Sequence, residues 1–498
     1  MVNDPHADPY VRDDIELPPG EHRDGELIDD GRSRVESDAM GQVRVPAERL
    51  WGAQTQRALK HFAIGEDRLP LAVYRAYGYV KKAAAMVNRD EGGLAPDKAR
   101  SIIAAADEVI DGRLDAEFRL FVAQSGSGTQ TNMNVNEVIA NRAIQLAGGV
   151  PGTKRPVHPN DDVNRSQSTN DTFLTAMHVA TVLELEDDLL PRAAALADAL
   201  HAKAVAWVDV VKIGRTHLQD ATPLTVGQEW SGYAAQLRDA LGRVGAAMAG
   251  LYPLAAGGTA VGTGINAPPG FGQAIAARLA ELTGRPFVTA PNKFAAQGSL
   301  DAMVASSAAL RGLAVELYKV ANDLRWLACG PRAGLHELRL PENEPGSSIM
   351  PGKVNPSEEE AAMMACVAVM GRDVATAFAG SQGSFELNVM RPLVADNVLR
   401  SARLLADACE KLRRFSVEGA QLDRAQIDEQ VRRSLMLITA LSPVIGYDKA
   451  SEIAHKAHDE GVTLREAALA TGYVTAEEFD RVVVPARMVG DPHRDLGV

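Results

Sequence analysis

Leu310, Leu313, Leu317, Val320, Leu324 and Leu327 follow one another at intervals of 3, 4, 3, 4 and 3 through the run SAALRGLAVELYKVANDLRWLACG. A 3.5-residue apolar repeat keeps one stripe of a helix against a partner, so this segment predicts a long helix in a left-handed bundle, crossing its neighbours near +20°. From Ala308 to Cys329 it would span roughly 33 Å. Similar long patterns run over about 171–207, 228–251, 358–378 and 393–415. Pro191 falls inside the first of these and should kink it, because proline lacks the backbone donor and crowds the preceding turn. Ahead of the helices, the alternation in RVESDAMGQVRV from Val35 to about Pro46 predicts a small hairpin or edge element. Beyond about Asp423, short helical patterns around SLMLITALSPVIG and YDKASEIAHKAHDEG, separated by Pro443 and Gly446, predict a small C-terminal domain. The fold class expected from this pattern is mainly α: an extended bundle in which abundant alanine permits close packing, continuing across subunit boundaries.

Composition narrows the setting. The 498 residues are 46% apolar, ample for a buried core. With 52 Lys+Arg against 65 Asp+Glu the net charge is −13, and no basic tract offsets it, so no nucleic-acid partner is expected. Charges interrupt the Ala-rich stretches every few positions, which predicts a soluble chain with no membrane partner. Residues 1–34 hold ten acidic and four basic side chains, four prolines and three glycines. That predicts a poorly ordered acidic extension, the reverse of a secretory or organellar leader. Cys329, Cys366 and Cys409 lie 37 and 43 residues apart, which fits neither a metal clamp nor a disulfide framework and points to a reducing cytoplasm. No HExxH, clustered Cys/His set or EF-hand loop occurs, and His455 and His458 sit three apart on a charged helix, so no metal is expected.

Polar segments at 124–136, 154–171, 212–228, 257–270 and 341–356 are too long and too chemically loaded for plain connectors, and function is expected there. In ENEPGSSIMPGKVNPSEEE (342–360) five residues separate Gly346 from Gly352 and Val354 follows the lysine, so the phosphate-loop pattern fails. What remains is a Gly-Ser-Ser tip, then Lys353 and Asn355 before a helix opening at Pro356 with Glu358, Glu359 and Glu360 in its first turn. An ammonium and an amide at a helix N-terminus suit a carboxylate. In RPVHPNDDVNRSQSTNDTF (155–173), Arg155, His158 and Asn160 can donate to an anion, while Ser168, Thr169 and Asn170 precede a long helix, where capping alone would also explain them. Thr216 and His217 lie in a polar turn of IGRTHLQDATPLTVGQE (213–229). A histidine suits acid/base work near neutral pH, although a lone loop histidine is more often structural. In SGSGTQTNMNVNEV (125–138) two glycines allow close backbone approach, and Ser127, Thr129 and Asn132 offer small polar contacts. Residue by residue, the chain reads as an all-helical enzyme whose donor-rich loops converge on a small polyanion, with no reaction named.

The segments SGSGTQTNMNVNEVIANRA, HPNDDVNRSQSTND, GRTHLQDATPLT, GGTAVGTGIN and GSSIMPGKVNP, in this order, resemble the fumarase/aspartase superfamily and, within it, the class II fumarate hydratase family. The likeness runs from about Val35 to about Gly490. It implies the three-domain fold of that superfamily: the 1–34 extension, an N-terminal domain over 35–167, a central helical-bundle domain over 168–424 and a small C-terminal helical domain over 425–498. It further implies a homotetramer with a twenty-helix core, active sites shared by three subunits, a small dicarboxylate substrate, and no metal or organic cofactor. The implied activity is that of a hydro-lyase, reversible trans addition of water to fumarate to give (S)-malate through an aci-carboxylate, a step of the tricarboxylic acid cycle.

By the same resemblance Ser347 is the base, helped by backbone N–H donors and Lys353, and His217 acts at the other carbon, oriented by Glu360. The family's substrate contacts carry over to Ser127, Thr129, Ser168, Thr169, Asn170, Thr216, Ser348, Lys353, Val354 and Asn355. Arg155, His158, Pro159, Asn160 and Asp161 match a second, non-catalytic anion site of the family. Histidine at 217, where aspartases typically carry glutamine, and Arg391 in FELNVMRP, where they tend to carry an acid, favour water over ammonia. Hydroxide is a poor leaving group and needs a positioned acid, whereas an ammonium group departs as neutral ammonia. Thr169 runs the other way, since many fumarases have serine there and aspartases threonine. Aspartate ammonia-lyase is the alternative enzyme, and a non-catalytic helical scaffold retaining the fold is the alternative of another class.

Overall fold

The structure, a computed structural model, describes residues 32–494. Residues 1–31 of the acidic extension lie outside the described residues, while Ser33 and Arg34 already belong to a strand. In chain order the chain forms the hairpin β1 (Ser33–Asp38) and β2 (Gly41–Pro46), then α1 (Ala53–His61), α2 (Leu71–Asp90), α3 (Pro96–Ile110), α4 (Thr129–Leu146), α5 (Thr169–Glu184) and α6 (Leu190–Ala206). A second hairpin, β3 (Val211–Thr216) and β4 (Gln219–Thr225), leads into α7 (Val226–Met248), α8 (Phe271–Thr283), α9 (Lys293–Gly298), α10 (Asp301–Leu327), α11 (Ser357–Gly380) and α12 (Arg391–Leu412). The C-terminal helices are α13 (Arg424–Arg433), α14 (Ser442–Ile445), α15 (Tyr447–Glu460), α16 (Leu464–Thr471) and α17 (Ala476–Val482).

The chain divides into two compact units, each built from separated segments. The first comprises the described part of 1–184 with 247–307 and 372–400, the second 185–246, 308–371 and the described part of 401–498. In the first unit α2 packs against α3, α5 and α8, and α4 packs against α1 and α3. Val73, Tyr74, Tyr77, Val80, Ile102, Val138 and Phe173 are buried there, with the Tyr74 and Phe118 rings stacked 4.6 Å apart. In the second unit α13 packs against β3, and Leu437, Ile438, Leu441, Ile453, Leu464 and Phe479 form a core among the C-terminal helices. Capping boxes on Thr463 and Thr475 satisfy the first backbone donors of α16 and α17.

The heptad seam is realised. Leu310, Leu313, Leu317, Val320 and Leu324 are fully buried and Leu327 nearly so, on a helix of 27 residues, about 40 Å long. Truncating Leu317 to alanine is therefore expected to destabilise the fold by about 2–5 kcal/mol, read as a lower denaturant midpoint in equilibrium unfolding. The pattern over 171–207 is helical without a break to Ala206: a π-turn, Leu185–Leu189, joins α5 to α6 just ahead of Pro191, whose missing N–H takes one donor out of the ladder.

Two expected loops are regular structure. The segment 124–136 is loop only to Gly128, because α4 starts at Thr129 although Thr131, Asn132, Asn134 and Asn136 are polar; all four are buried. The segment 212–228 is mostly the β3–β4 hairpin. Among the described residues one helix, α11, is long and apolar enough to cross a membrane by length and composition alone, and 28% of its most apolar window is buried. Its exposed side carries Met364, Val367, Gly371, Val374 and Phe378 at spacings of 3, 4, 3 and 4. That spacing is a second packing seam, opposite the buried Ala362, Cys366, Val369, Asp373 and Thr376.

Candidate active site

In the first unit three of the singled-out segments are tied together by hydrogen bonds. Gly128 caps α4 with φ +80°, and a β-carbon there would stand 2.1 Å from the Phe173 ring, so only glycine lets the SGSG turn lie against α5. Ser127 and Thr129 join hydroxyls at 2.8 Å at the N-terminus of α4, where the helix dipole favours an anion. Asn132 on the same helix donates its amide to Thr169 Oγ1 at 2.9 Å, linking α4 to the start of α5. Asp171 holds the third segment. Its carboxylate accepts Ser168 N–H at 3.0 Å, Gly257 N–H at 2.9 Å and Thr259 N–H at 3.0 Å, while Asn170 donates its amide to Ala260 O at 2.7 Å. Burial raises the Asp171 carboxyl pKa, with those N–H groups and the Lys81 charge acting against it. Arg391, fully buried, donates to Asn170 O at 2.9 Å and Gln297 O at 2.8 Å, so it braces the backbone of the SQSTN segment from within.

The second anion group also lies in the first unit. His158 precedes a π-turn, Pro159–Val163, and its Nδ1 accepts the N–H groups of Asn160 and Asp161 at 3.1 Å each. In the neutral ring this places the proton on Nε2, free to donate elsewhere. A cavity of about 230 Å³ is lined by Glu36, Asp38, Glu137 and Lys154 together with His158, Pro159 and Asn160. Arg155 and Asp161 are exposed and do not line it.

In the second unit His217 occupies the tip of the β3–β4 hairpin. Thr216 pairs with Gln219, leaving His217 and Leu218 as a two-residue turn with φ +58° and +60°. Tight hairpin turns require left-handed backbone at both central residues, a conformation costing about 1–2 kcal/mol for a residue with a β-carbon. Ion pairs along β3 anchor the hairpin. Lys212, 1% exposed, pairs with Glu229 at 2.7 Å and Glu337 at 2.8 Å, and Arg215 pairs with Glu337 at 2.5 Å. The imidazole itself is exposed, with no hydrogen-bond partner among the described residues.

The GSSIMPGKVNP loop closes on itself. Gly346 N–H donates to Lys353 O at 2.9 Å, and Asn355 returns its amide to Gly346 O at 2.5 Å. A β-carbon on Gly346 would lie 2.5 Å from Lys353 O, so the closure needs glycine. Within the closed loop Ser347 Oγ accepts the N–H groups of Ile349 at 3.3 Å and Met350 at 3.0 Å, and Lys353 Nζ donates to Asn355 Oδ1 at 2.7 Å. Backbone donors aimed at a hydroxyl oxygen favour its anionic form. Ser348, Lys353 and Val354 are exposed. The three glutamates of α11 part company: Glu358 accepts from Asn343 at 2.8 Å, Glu359 is buried and bonded by Ser416, and Glu360 is exposed. No bond joins Glu360 to His217 among the described residues.

A lyase family model matches residues 41–371, and a fumarase C C-terminus model matches 437–490. The chain is 66% identical over 463 residues to a class II fumarate hydratase of Methanosarcina acetivorans, covering 93% of this chain and 96% of that one. The chain belongs to the class II fumarate hydratase family. A second relative of the same description, from Thermosynechococcus vestitus, is 60% identical over 459 residues, 92% of this chain and 98% of its own length. Among solved structures, the recombinant class II fumarase of Schistosoma mansoni superposes with a TM-score of 0.90 at 41% identity, covering 93% of this chain and 100% of that one. Membership fixes the fold class as the mainly α fold of the fumarase/aspartase superfamily and the protein as a lyase. Sequence reading left three contributors unnamed as site residues: Asp171, the bracing role of Arg391, and Lys81 beneath Asn132. Lys81 carries the clearest missed signal, for it occupies a core position of α2 in the series Tyr74, Tyr77, Lys81, Ala84, Asn88.

Proposed function

We propose that this protein catalyses the reversible hydration of fumarate to (S)-malate. The observation that carries this reading is the likeness to class II fumarate hydratases along 93% of the chain. In the dehydration direction Ser347, as an alkoxide, takes the proton from the carbon beside one carboxylate, and the electron pair moves into that carboxylate as an aci-carboxylate. The double bond then forms as hydroxide leaves the other carbon, protonated by His217, with Glu360 orienting the imidazole. The two N–H groups on Ser347 Oγ support the first step, because a free serine hydroxyl is not ionised at neutral pH. Ser127, Thr129, Ser168, Thr169, Asn170, Thr216, Ser348, Lys353, Val354 and Asn355 line the substrate, most of them as neutral donors with Lys353 adding charge. Arg155, His158, Pro159, Asn160 and Asp161 form the second anion site. Three unpaired cysteines, two of them buried, fit a reducing cytoplasm.

The decisive assay follows the ultraviolet absorbance of the fumarate double bond with malate, then with aspartate, as sole substrate. Product from malate alone is expected. Product from aspartate alone would replace this reading by ammonia-lyase activity, and no product from either would leave a non-catalytic fold.

The working assembly is a homotetramer, each active site drawing loops from three subunits. The exposed seam on α11 supports it, as do Val315 and Trp326, which stand exposed on α10. Replacing Val374 and Phe378 together by glutamate is expected to break the assembly, with light scattering falling from about four chains of 53.1 kDa and activity falling with it. A fully active monomer would overturn the shared-site proposal.

A further inference from the structure

Beneath the donors of α4 and α5 lies a set of charges that the mechanism above does not use. Lys81 is fully buried, and its ammonium donates only to neutral oxygens: Asn132 Oδ1 at 2.7 Å, Asn164 Oδ1 at 3.0 Å and Gln167 Oε1 at 3.0 Å. Arg391, equally buried, donates to two carbonyls, and the half-buried Lys293 donates to Leu254 O at 2.7 Å and Thr289 Oγ1 at 2.6 Å. Asp171 is the carboxylate whose charge all three feel. Among the described residues no ion pair within 4.0 Å joins Lys81, Lys293 or Arg391 to any carboxylate. Three basic groups therefore share one carboxylate, and two of them reach the start of α5, Lys81 through Asn132 to Thr169 and Arg391 at Asn170 O.

Such an arrangement is expensive to fold. A buried ammonium without an adjacent anion loses its hydration and gets only dipoles in exchange, and a neutral side chain of the same volume would remove that penalty. Burial accordingly pulls Lys81 down to about 7 and Lys293 to about 8. The hydrogen-bond directions show where the charge is felt. An ammonium has donors only, so the amide oxygen of Asn132 must face Lys81 and its NH₂ must face Thr169. Thr169 Oγ1 accepts that N–H, which leaves its own O–H to donate onward. Each bond in such a chain strengthens the next.

We propose that Lys81 is a positioning residue for the dicarboxylate: acting through Asn132 and the hydroxyl of Thr169, it supplies the buried positive potential for which a substrate carboxylate is the counter-ion. This rests on the preceding reading that Thr169 and its neighbours hold fumarate or malate. It assigns the site a second source of positive charge besides Lys353, on the side of the carboxylate donors.

The test uses Lys81→Met, which keeps the stem, and Lys81→Gln, which keeps a donor for the amide oxygens; either one, if folded by circular dichroism, decides it. The parent is assayed first, so that a parent without fumarate hydration, which would sink the functional reading on which this proposal rests, is told apart from a failure of the Lys81 role itself. With an active parent, the KM for fumarate and the inhibition constant of succinate, a dianion that cannot react, are expected to rise together by about tenfold or more, with kcat within about threefold. A folded variant whose KM and inhibition constant stay within about twofold of the parent overturns the proposal. So does a loss confined to kcat or to thermal stability, which would make Lys81 a packing residue.

Discussion

Replacing Ser347 by alanine is expected to abolish turnover, a fall of at least about 10⁴-fold, the upper end for loss of one acid/base group. The loop geometry makes this substitution clean. Closure depends on the Gly346 N–H to Lys353 O and Asn355 to Gly346 O bonds, and neither uses the serine hydroxyl. Alanine therefore leaves the loop shut and removes only the oxygen onto which the Ile349 and Met350 N–H groups converge. Those two donors would be left facing water, a loss of about 1 kcal/mol or less at an exposed loop. Succinate binding and the tetramer should thus survive while steady-state hydration and dehydration both vanish. Full activity in Ser347→Ala would remove serine from the role of base and leave Lys353 as the remaining basic group of that loop.

The helices were readable because their apolar residues carry the information. The seam from Leu310 to Leu327 places six large side chains on one stripe, and no polar neighbour competes for that face. Reading fails where polar side chains are buried. Lys212 stands at an interior position of β3 and is kept there by Glu229 and Glu337, so the strand shows no clean alternation and passes for a polar loop. The first turns of α4 invert the usual pattern in the same way, since Thr131, Asn132, Asn134 and Asn136 face inward. For the site, the loop residues that would meet substrate are legible as clusters of small donors next to helix starts. What stands behind them is not. Asp171 looks like an ordinary first-turn acid, yet it bonds Gly257 and Thr259 of one loop 86 and 88 residues away, and chain distance of that kind leaves no local trace. Lys81 did leave one, a cation in a core series of α2, and its meaning depends on Asn132 lying opposite.

Replacing His217 by asparagine is expected to lower kcat by about 10² to 10⁴-fold in both directions, the range for a general acid/base. The backbone makes asparagine the right probe. His217 and Leu218 both sit in the left-handed region, where asparagine is among the best tolerated of residues with a β-carbon, so the hairpin tip should be kept or relaxed. The ion pairs of Lys212 with Glu229 and Glu337 at the strand base, and of Arg215 with Glu337 just below the tip, use no atom of His217 and are kept. Stability measured by thermal unfolding should accordingly hold or rise slightly, and a fall in rate then belongs to the chemistry. Asparagine can still donate to a hydroxyl but cannot carry a proton to it, so substrate affinity should change far less than kcat. If rate and stability both stay at parental values, the imidazole is only a turn residue, and the proton delivered to the departing hydroxyl has to come from another group.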